Sequence, residues 1–307
     1  MMKLPRNSLT LHLRAVVCAA ALAAIALPAA AQFGDLLRAI PGAGKAINLG
    51  IGTGGGAAAN SGDLMRLLSD SATTIDEPRE IEIGRQLASV LLGSKPLDRD
   101  MALQRYVNRL GRWISLQSSR PNLPWSFAVI DDPGFNAFAA PGGYIFVTRG
   151  LVDRVDEAEL AGILAHEITH VTEKHHLNAL QSKARAGLAT QLIGSQLRNN
   201  VAGALSQQGL NLIRNVYSSG LDQGDEFESD RQGVALAARA GFDPYGLPAV
   251  LQQLRTAAPD NPLFTLTLST HPPAQQRIEL LEQSMGKRLD ALSGKPSVSV
   301  AQRLRMR

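Results

Sequence analysis

A chain of 307 residues, 45% of them hydrophobic, can bury one substantial core and a short appendage but not two full enzyme domains. Its formal net charge of +4 falls to +1 once Lys3, Arg6 and Arg14, the cations of the first 31 residues, are set aside. A near-neutral remainder, with no run of Lys or Arg interleaved with aromatics, argues for no nucleic-acid partner.

Those first residues read as a secretory signal peptide. A cationic stretch leads into an apolar run from Ala15 to Leu27, which closes with Pro28, Ala29, Ala30 and Ala31 before Gln32, so cleavage is expected after Ala31. The apolar run falls short of the roughly 20 residues that a spanning helix needs. The only cysteine, Cys18, lies inside this leader, which leaves the mature protein to be stabilised by packing and a metal rather than by disulfides.

Residues 32–75 are read as a flexible Gly/Ala-rich linker, since Pro41 to Gly62 holds eight glycines and almost no charge. Order is expected over residues 76–286. Asp76 can cap a helix carrying Ile81, Ile83, Leu87, Val90 and Leu91, which Gly93 and Pro96 stop. A second helix is predicted from Asp98 to about Ser118, burying Leu103, Val107, Leu110 and Ile114. The pattern then changes: Trp125, Phe127 and Val129 alternate with smaller neighbours, and Tyr144 to Thr148 is a β-branched and aromatic run opened by two glycines. These two are the strands expected. After Asp156 the pattern is helical, with breaks near Asn199, Gly220, Gly241 to Pro244, and Pro259 to Pro273. Residues 287–307 read as a basic C-terminal tail. The layout implies an α+β fold, mostly helical, with a small sheet.

One stretch carries chemistry. Within AELAGILAHEITHVTEKHH, His166, Glu167 and His170 form H-E-x-x-H in an apolar helix that Asp156 can cap. Four residues on a helix turn the chain about 40° past one full circle, so the two imidazoles share a face and can grip one tetrahedral ion. Glu167 stands beside them, able to reach a water without binding the metal. A catalytic zinc takes a third protein ligand, and His175, His176, His271 or a carboxylate could supply it. On a continuing helix His175 and His176 rotate away from His170, which makes them surface residues of the helix end. A better candidate is Glu226, four residues before Asp230 on a predicted helix, so that Asp230 can accept a proton from a ligand imidazole.

The sequence resembles the zinc endopeptidases that include the heat-shock protease HtpX, the CAAX-prenyl protease and periplasmic proteases that police outer-membrane assembly. Four blocks carry the resemblance: NAFAAPGGYIFVTRGL (Asn136 to Leu151), ELAGILAHEITHV (Glu159 to Val171), EFESDRQG (Glu226 to Gly233) and STHPPAQQRI (Ser269 to Ile278). It implies a zincin-like metallopeptidase domain holding one Zn2+ per chain. His166, His170 and Glu226 would be the ligands, Glu167 the catalytic base and Asp230 the group behind the ligands. Ser229 departs from the alanine usual there. His271, on a late loop stiffened by Pro272 and Pro273, is expected near the zinc as donor or resting-state ligand, with Arg277 and Tyr217 as further oxyanion or regulatory candidates. Asn136 and the Ala137 backbone are candidates for substrate binding, where an extended polypeptide could add as a strand.

The expected function is a zinc-dependent endopeptidase of the bacterial periplasm acting on unfolded or misassembled envelope polypeptides, peripherally associated with the membrane or with outer-membrane assembly machinery. The competing reading is an assembly factor or chaperone with a zinc site and little proteolysis. An intact Glu167 favours catalysis, because a structural site needs no base and closes its fourth position.

Overall fold

The computed structural model describes residues 75–194, 216–258 and 261–306. The expected signal peptide, nearly all of the linker and the break near Asn199 lie outside them.

Asp76 accepts a hydrogen bond from Arg79 N and caps α1 (Glu77–Ser94), as its sequence predicts. Helix α2 (Met101–Ser115) is shorter than the expected 98–118. Asp100 rather than Asp98 is its cap, accepting from Ala102 N and Leu103 N. It buries Leu103, Val107, Leu110 and Ile114 against β1 (Ser126–Ile130). A strand not predicted, β2 (Ala137–Ala140), precedes a 3-10 turn at Pro141–Gly143 and β3 (Tyr144–Thr148). Three of its four residues are alanine, a residue depleted in strands, so propensity hid it. What forms it is pairing: β3 lies in the middle of the sheet, parallel to β1 and antiparallel to β2, with Phe138 opposite Phe146. Among the described residues no strand pairs with the outer edge of β2.

After the one-turn α3 (Arg149–Val152) comes α4 (Glu157–Thr172), the central helix, buried on nearly every side from Ala158 to Val171. A helix that is apolar all round belongs inside. Its N-terminus is held by a capping box between Asp156 and Glu159. The segment read as a basic C-terminal tail contributes here too. Val298 O accepts from Glu157 N and Ser297 Oγ accepts from Ala158 N, while Arg303 in the C-terminal helix α10 (Val300–Arg305) pairs with Glu157. Two backbone N–H groups that a helix start leaves open are thereby satisfied, and Asp156 accepts from a third, Glu159 N.

The chain then turns. Lys174 takes φ +61°, a left-handed value uncommon outside glycine, and α5 (His175–Gly194) starts at once in a new direction. Helices α6 (Gln223–Arg239) and α7 (Gly246–Thr256) pack on α4. A short α8 (Thr265–Thr270) lies inside a stretch expected to be irregular, and α9 (Ala274–Met285) follows Pro273 as predicted. The fold is α+β, mostly helical and zincin-like. No helix among the described residues is long and apolar enough to cross a membrane.

One buried carboxylate fastens three of these pieces. Glu80 of α1, with no exposed surface, accepts from Arg120 Nη1 and Nη2 at 2.8 and 3.0 Å and from Gly142 N at 3.1 Å, and lies 3.2 Å from Lys174 Nζ. Arg120 Nη1 also donates to Val171 O, at the end of α4. Glu80→Ala would leave these donors without their acceptor, and unfolding in urea is expected to show a loss of about 3–5 kcal/mol. Glu80→Gln, which keeps an acceptor for Gly142, should lose less; a glutamine variant as stable as wild type would show that the carboxylate only fills space.

Candidate metal centre

The site is assembled where α4 and α6 meet. A Cβ on Gly233 would sit 2.9 Å from His166 N, so glycine is what lets α6 approach the backbone of α4 at the level of His166. That approach carries Glu226 and Asp230 to the H-E-x-x-H face. His166 Nε2 and His170 Nε2 are 3.0 Å apart. Glu226 Oε2 lies 3.6 Å from His166 Nε2, and Oε1 lies 3.6 Å from His170 Nε2. His271, which ends α8, brings its Nε2 to 3.7 Å from Glu226 Oε2.

These atoms suit a cation. Two imidazole nitrogens and a carboxylate converge, and Glu226 Oε2 is buried without a hydrogen bond from the described residues. Ligand bonds of about 2.0–2.1 Å around a tetrahedral zinc place neighbouring donors about 3.3 Å apart, which the spacings of 3.0–3.7 Å bracket. His166, Glu226 and His271 alone form a compact three-donor group, and His170 joins it through His166 and Glu226.

Electrostatics point the same way. Burial lowers the pKa of His166, and that of His170 well below its ordinary value, which keeps both rings neutral as ligands must be. Burial, and then Arg277, bring His271 down to about 4. Burial raises Glu226, tempered by His166 and Arg277. Burial, then the Glu226 charge, push Glu167 up to about 8 against the pull of Arg277. Glu167 is fully inside the cleft yet is not one of the converging donors.

Behind the donors stands an ion pair. Arg277 of α9 donates through Nε and Nη2 to Asp230 at 2.7 and 2.5 Å, and its Nη1 lies 3.9 Å from Glu226 Oε2. Burial alone would raise Asp230, but the guanidinium and its two N–H bonds win and hold the carboxyl well below the usual carboxylate range. His166 Nδ1 is 3.0 Å from Asp230 Oδ1, within reach but off the line of a well-directed hydrogen bond. Nε and Nη2 of Arg277 are thus committed to Asp230, and Nη1 is the part of the guanidinium that faces Glu226.

Other candidates line the cleft. Asn136 and Ala137 border it, Asn136 held by Thr148 and with its Oδ1 3.3 Å from Thr267 Oγ1. Tyr217 is there too, but its hydroxyl donates to Ala139 O at 2.9 Å while its ring stacks on His176 at 5.0 Å. The expectation that His175 and His176 are surface residues is corrected. α4 does not continue past Thr172, and the left-handed Lys174 swings both rings inward, His175 Nδ1 lying 3.0 Å from His170 Nδ1. Nothing in the residue types around Lys174 announces that turn.

The family description "Peptidase family M48" matches residues 99–285. A putative beta-barrel assembly-enhancing protease of Vibrio cholerae is 34% identical, over 69% of this chain and 44% of its own. The beta-barrel assembly-enhancing protease of Escherichia coli (strain K12) is 31% identical, over 72% and 47%. A protease HtpX homolog of Salinibacter ruber is 26% identical, over 64% and 80%. The chain spans about half the length of the first two.

The buried pair makes a test. Arg277→Met strips Asp230 of its cation at similar side-chain length, and folding stability is expected to fall by about 3–5 kcal/mol. Adding Asp230→Asn should recover part of that loss, because the uncompensated charge is gone. A double variant less stable than Arg277→Met in urea would show that the guanidinium acts by packing alone.

Proposed function

The chain belongs to peptidase family M48, and from that premise we propose that it is a zinc-dependent endopeptidase of the bacterial cell envelope, cleaving unfolded or misassembled proteins. The observation that carries the reading is the convergence of His166, His170 and Glu226 on one point, with a buried carboxylate oxygen of Glu226 that accepts no hydrogen bond from the described residues. Those three residues would hold a single Zn2+, and Asp230 would orient His166 from behind. When bound there, zinc supplies Lewis acidity to water and to a peptide carbonyl.

Glu167 is the base in this reading. Its carboxyl, pushed up by burial, is poised close to neutral pH, where a group best both takes a proton from the attacking water and returns it to the departing amine. A nearby cation would pull it further towards neutrality. The outer edge of β2, beginning at Asn136 and Ala137, pairs with no strand among the described residues and is the place for an extended polypeptide to lie along main-chain donors and acceptors, with Tyr217 on Ala139 O at its far end. Such pairing needs an unfolded strand, which is why folded proteins would be poor substrates. His271 would stand beside the zinc, as oxyanion donor or as the occupant of the water position at rest.

The cellular setting rests on two supports. Residues 1–31 read as a signal peptide, ahead of a 32–75 linker and a catalytic domain over 76–286 with a C-terminal segment attached. Two relatives carry names that refer to β-barrel assembly, which fits a periplasmic enzyme working on outer-membrane polypeptides and peripherally associated with their assembly machinery.

Glu167→Gln is expected to keep a full zinc per chain and to lose cleavage of a casein-like unfolded substrate, whereas Glu226→Ala should lose most of its zinc. Metal analysis and a protease assay on the same preparations decide it; a Glu167→Gln chain that still cleaves would remove the base. Comparing envelope proteomes of cells carrying wild type or Glu167→Gln separates protease from holdase, since a chaperone with little proteolysis would leave them alike.

His271→Ala distinguishes its two roles. Faster cleavage than wild type is expected if the ring blocks the water position, and a kcat lower by about 10² to 10³-fold if it is a main oxyanion donor. Unchanged kcat and KM would exclude both.

A further inference from the structure

The two imidazoles of the H-E-x-x-H motif are held differently. Behind His166 stands a carboxylate, Asp230. Behind His170 the described residues offer no carboxylate in hydrogen-bond contact; its Nδ1 faces His175 Nδ1 at 3.0 Å and Ser229 Oγ at 3.2 Å. Ser229 Oγ is also 3.2 Å from His175 Nδ1, so the three groups form one closed contact. All three residues are buried.

Resting on the metal-centre reading above, we propose that His175, with Ser229, is the positioning group that fixes the orientation and tautomer of His170. The protons follow from the geometry. His170 Nε2 points at His166 Nε2 and Glu226, so as a ligand it presents its lone pair there and carries its single proton on Nδ1. Of two Nδ1 atoms 3.0 Å apart, one donates and the other accepts. His175 Nδ1 is therefore the acceptor, and the proton of His175 sits on Nε2. That atom faces two carboxylates of α6, Glu228 Oε2 at 3.5 Å and Asp225 Oδ1 at 3.8 Å, which suit a donor. The result is a relay from metal ligand to histidine to half-exposed carboxylates.

A ligand histidine ordinarily donates its second N–H to a carboxylate, a backbone carbonyl or a water. An imidazole in that place needs its own tautomer fixed, and the serine and the α6 carboxylates supply the fixing contacts. It also gives a role to Ser229, whose hydroxyl an alanine would lack. The turn at Lys174, φ +61°, is what delivers His175 to this position five residues after His170.

The test compares zinc-loaded full-length chains. In wild type, 15N-labelled histidine spectra are expected to show His170 protonated at Nδ1, His175 protonated at Nε2, and coupling across the Nδ1–Nδ1 contact. His175→Leu, which fills the space without an acceptor, is expected to weaken zinc binding by about 10 to 100-fold in chelator competition. His175→Asn, whose carbonyl can stand where Nδ1 stood, should recover most of that loss, and Ser229→Ala should cost a few-fold, on the order of one hydrogen bond. Leucine binding zinc as tightly as wild type, asparagine no better than leucine, or a wild-type His170 protonated at Nε2 would each overturn the proposal. The wild-type spectrum decides even where a variant does not fold. Glu226→Ala separates the two readings: unchanged zinc there removes the metal centre itself, whereas lost zinc there with unchanged zinc in His175→Leu removes only this inference.

Discussion

The approach of α6 to α4 at Gly233 is the constraint on which the rest depends. Two helices meeting without a side chain at the contact bring a carboxylate of one within reach of two imidazoles of the other. Any larger residue would push α6 outward, and Glu226 and Asp230 would leave with it. The apolar surroundings of α4 then do the electrostatic work. They keep the histidines neutral, raise the carboxyls of Glu167 and Glu226, and make every polar contact inside expensive to leave unmade.

That environment explains why the centre is backed by so many charges. A dry interior tolerates Asp230 because Arg277 meets it with two N–H groups, and tolerates Glu80 because Arg120, Lys174 and Gly142 converge on it. The two networks meet the same helix at different levels, one at His166 and one at its C-terminal end. Asp230 and Arg277 lie behind His166, whereas Glu80 fixes the end of α4 and the turn between β2 and β3. The helix that carries the motif and the turn that follows the edge strand are thus referred to a common anchor, and a shift of either would be opposed by a buried ion pair.

The C-terminal segment belongs to the same design. By satisfying the first N–H groups of α4 it removes a reason for the helix start to fray, so both ends of the helix that carries the motif are tied to distant parts of the chain. Such rigidity would serve the proposed hydrolytic centre, whose ligands and base would have to keep their places while a substrate strand came and went along β2.

Much of this was legible from residues alone. Periodicity and caps determined α1, α4, α6 and the start of α9; β-branched and aromatic runs determined β1 and β3; and the H-E-x-x-H spacing with Glu226 and Asp230 named the atoms that do converge. These are local properties, set by helical geometry and by side chains at fixed offsets. What only the tertiary structure decided is whatever depends on contact between distant segments. The alanine-rich β2 exists because β3 lies beside it. The tail is a strap because α4 offers it unsatisfied N–H groups. His175 is an interior residue because a non-glycine turn at Lys174, balanced by a carboxylate 94 positions earlier in the chain, bends the backbone where sequence would have let the helix run on.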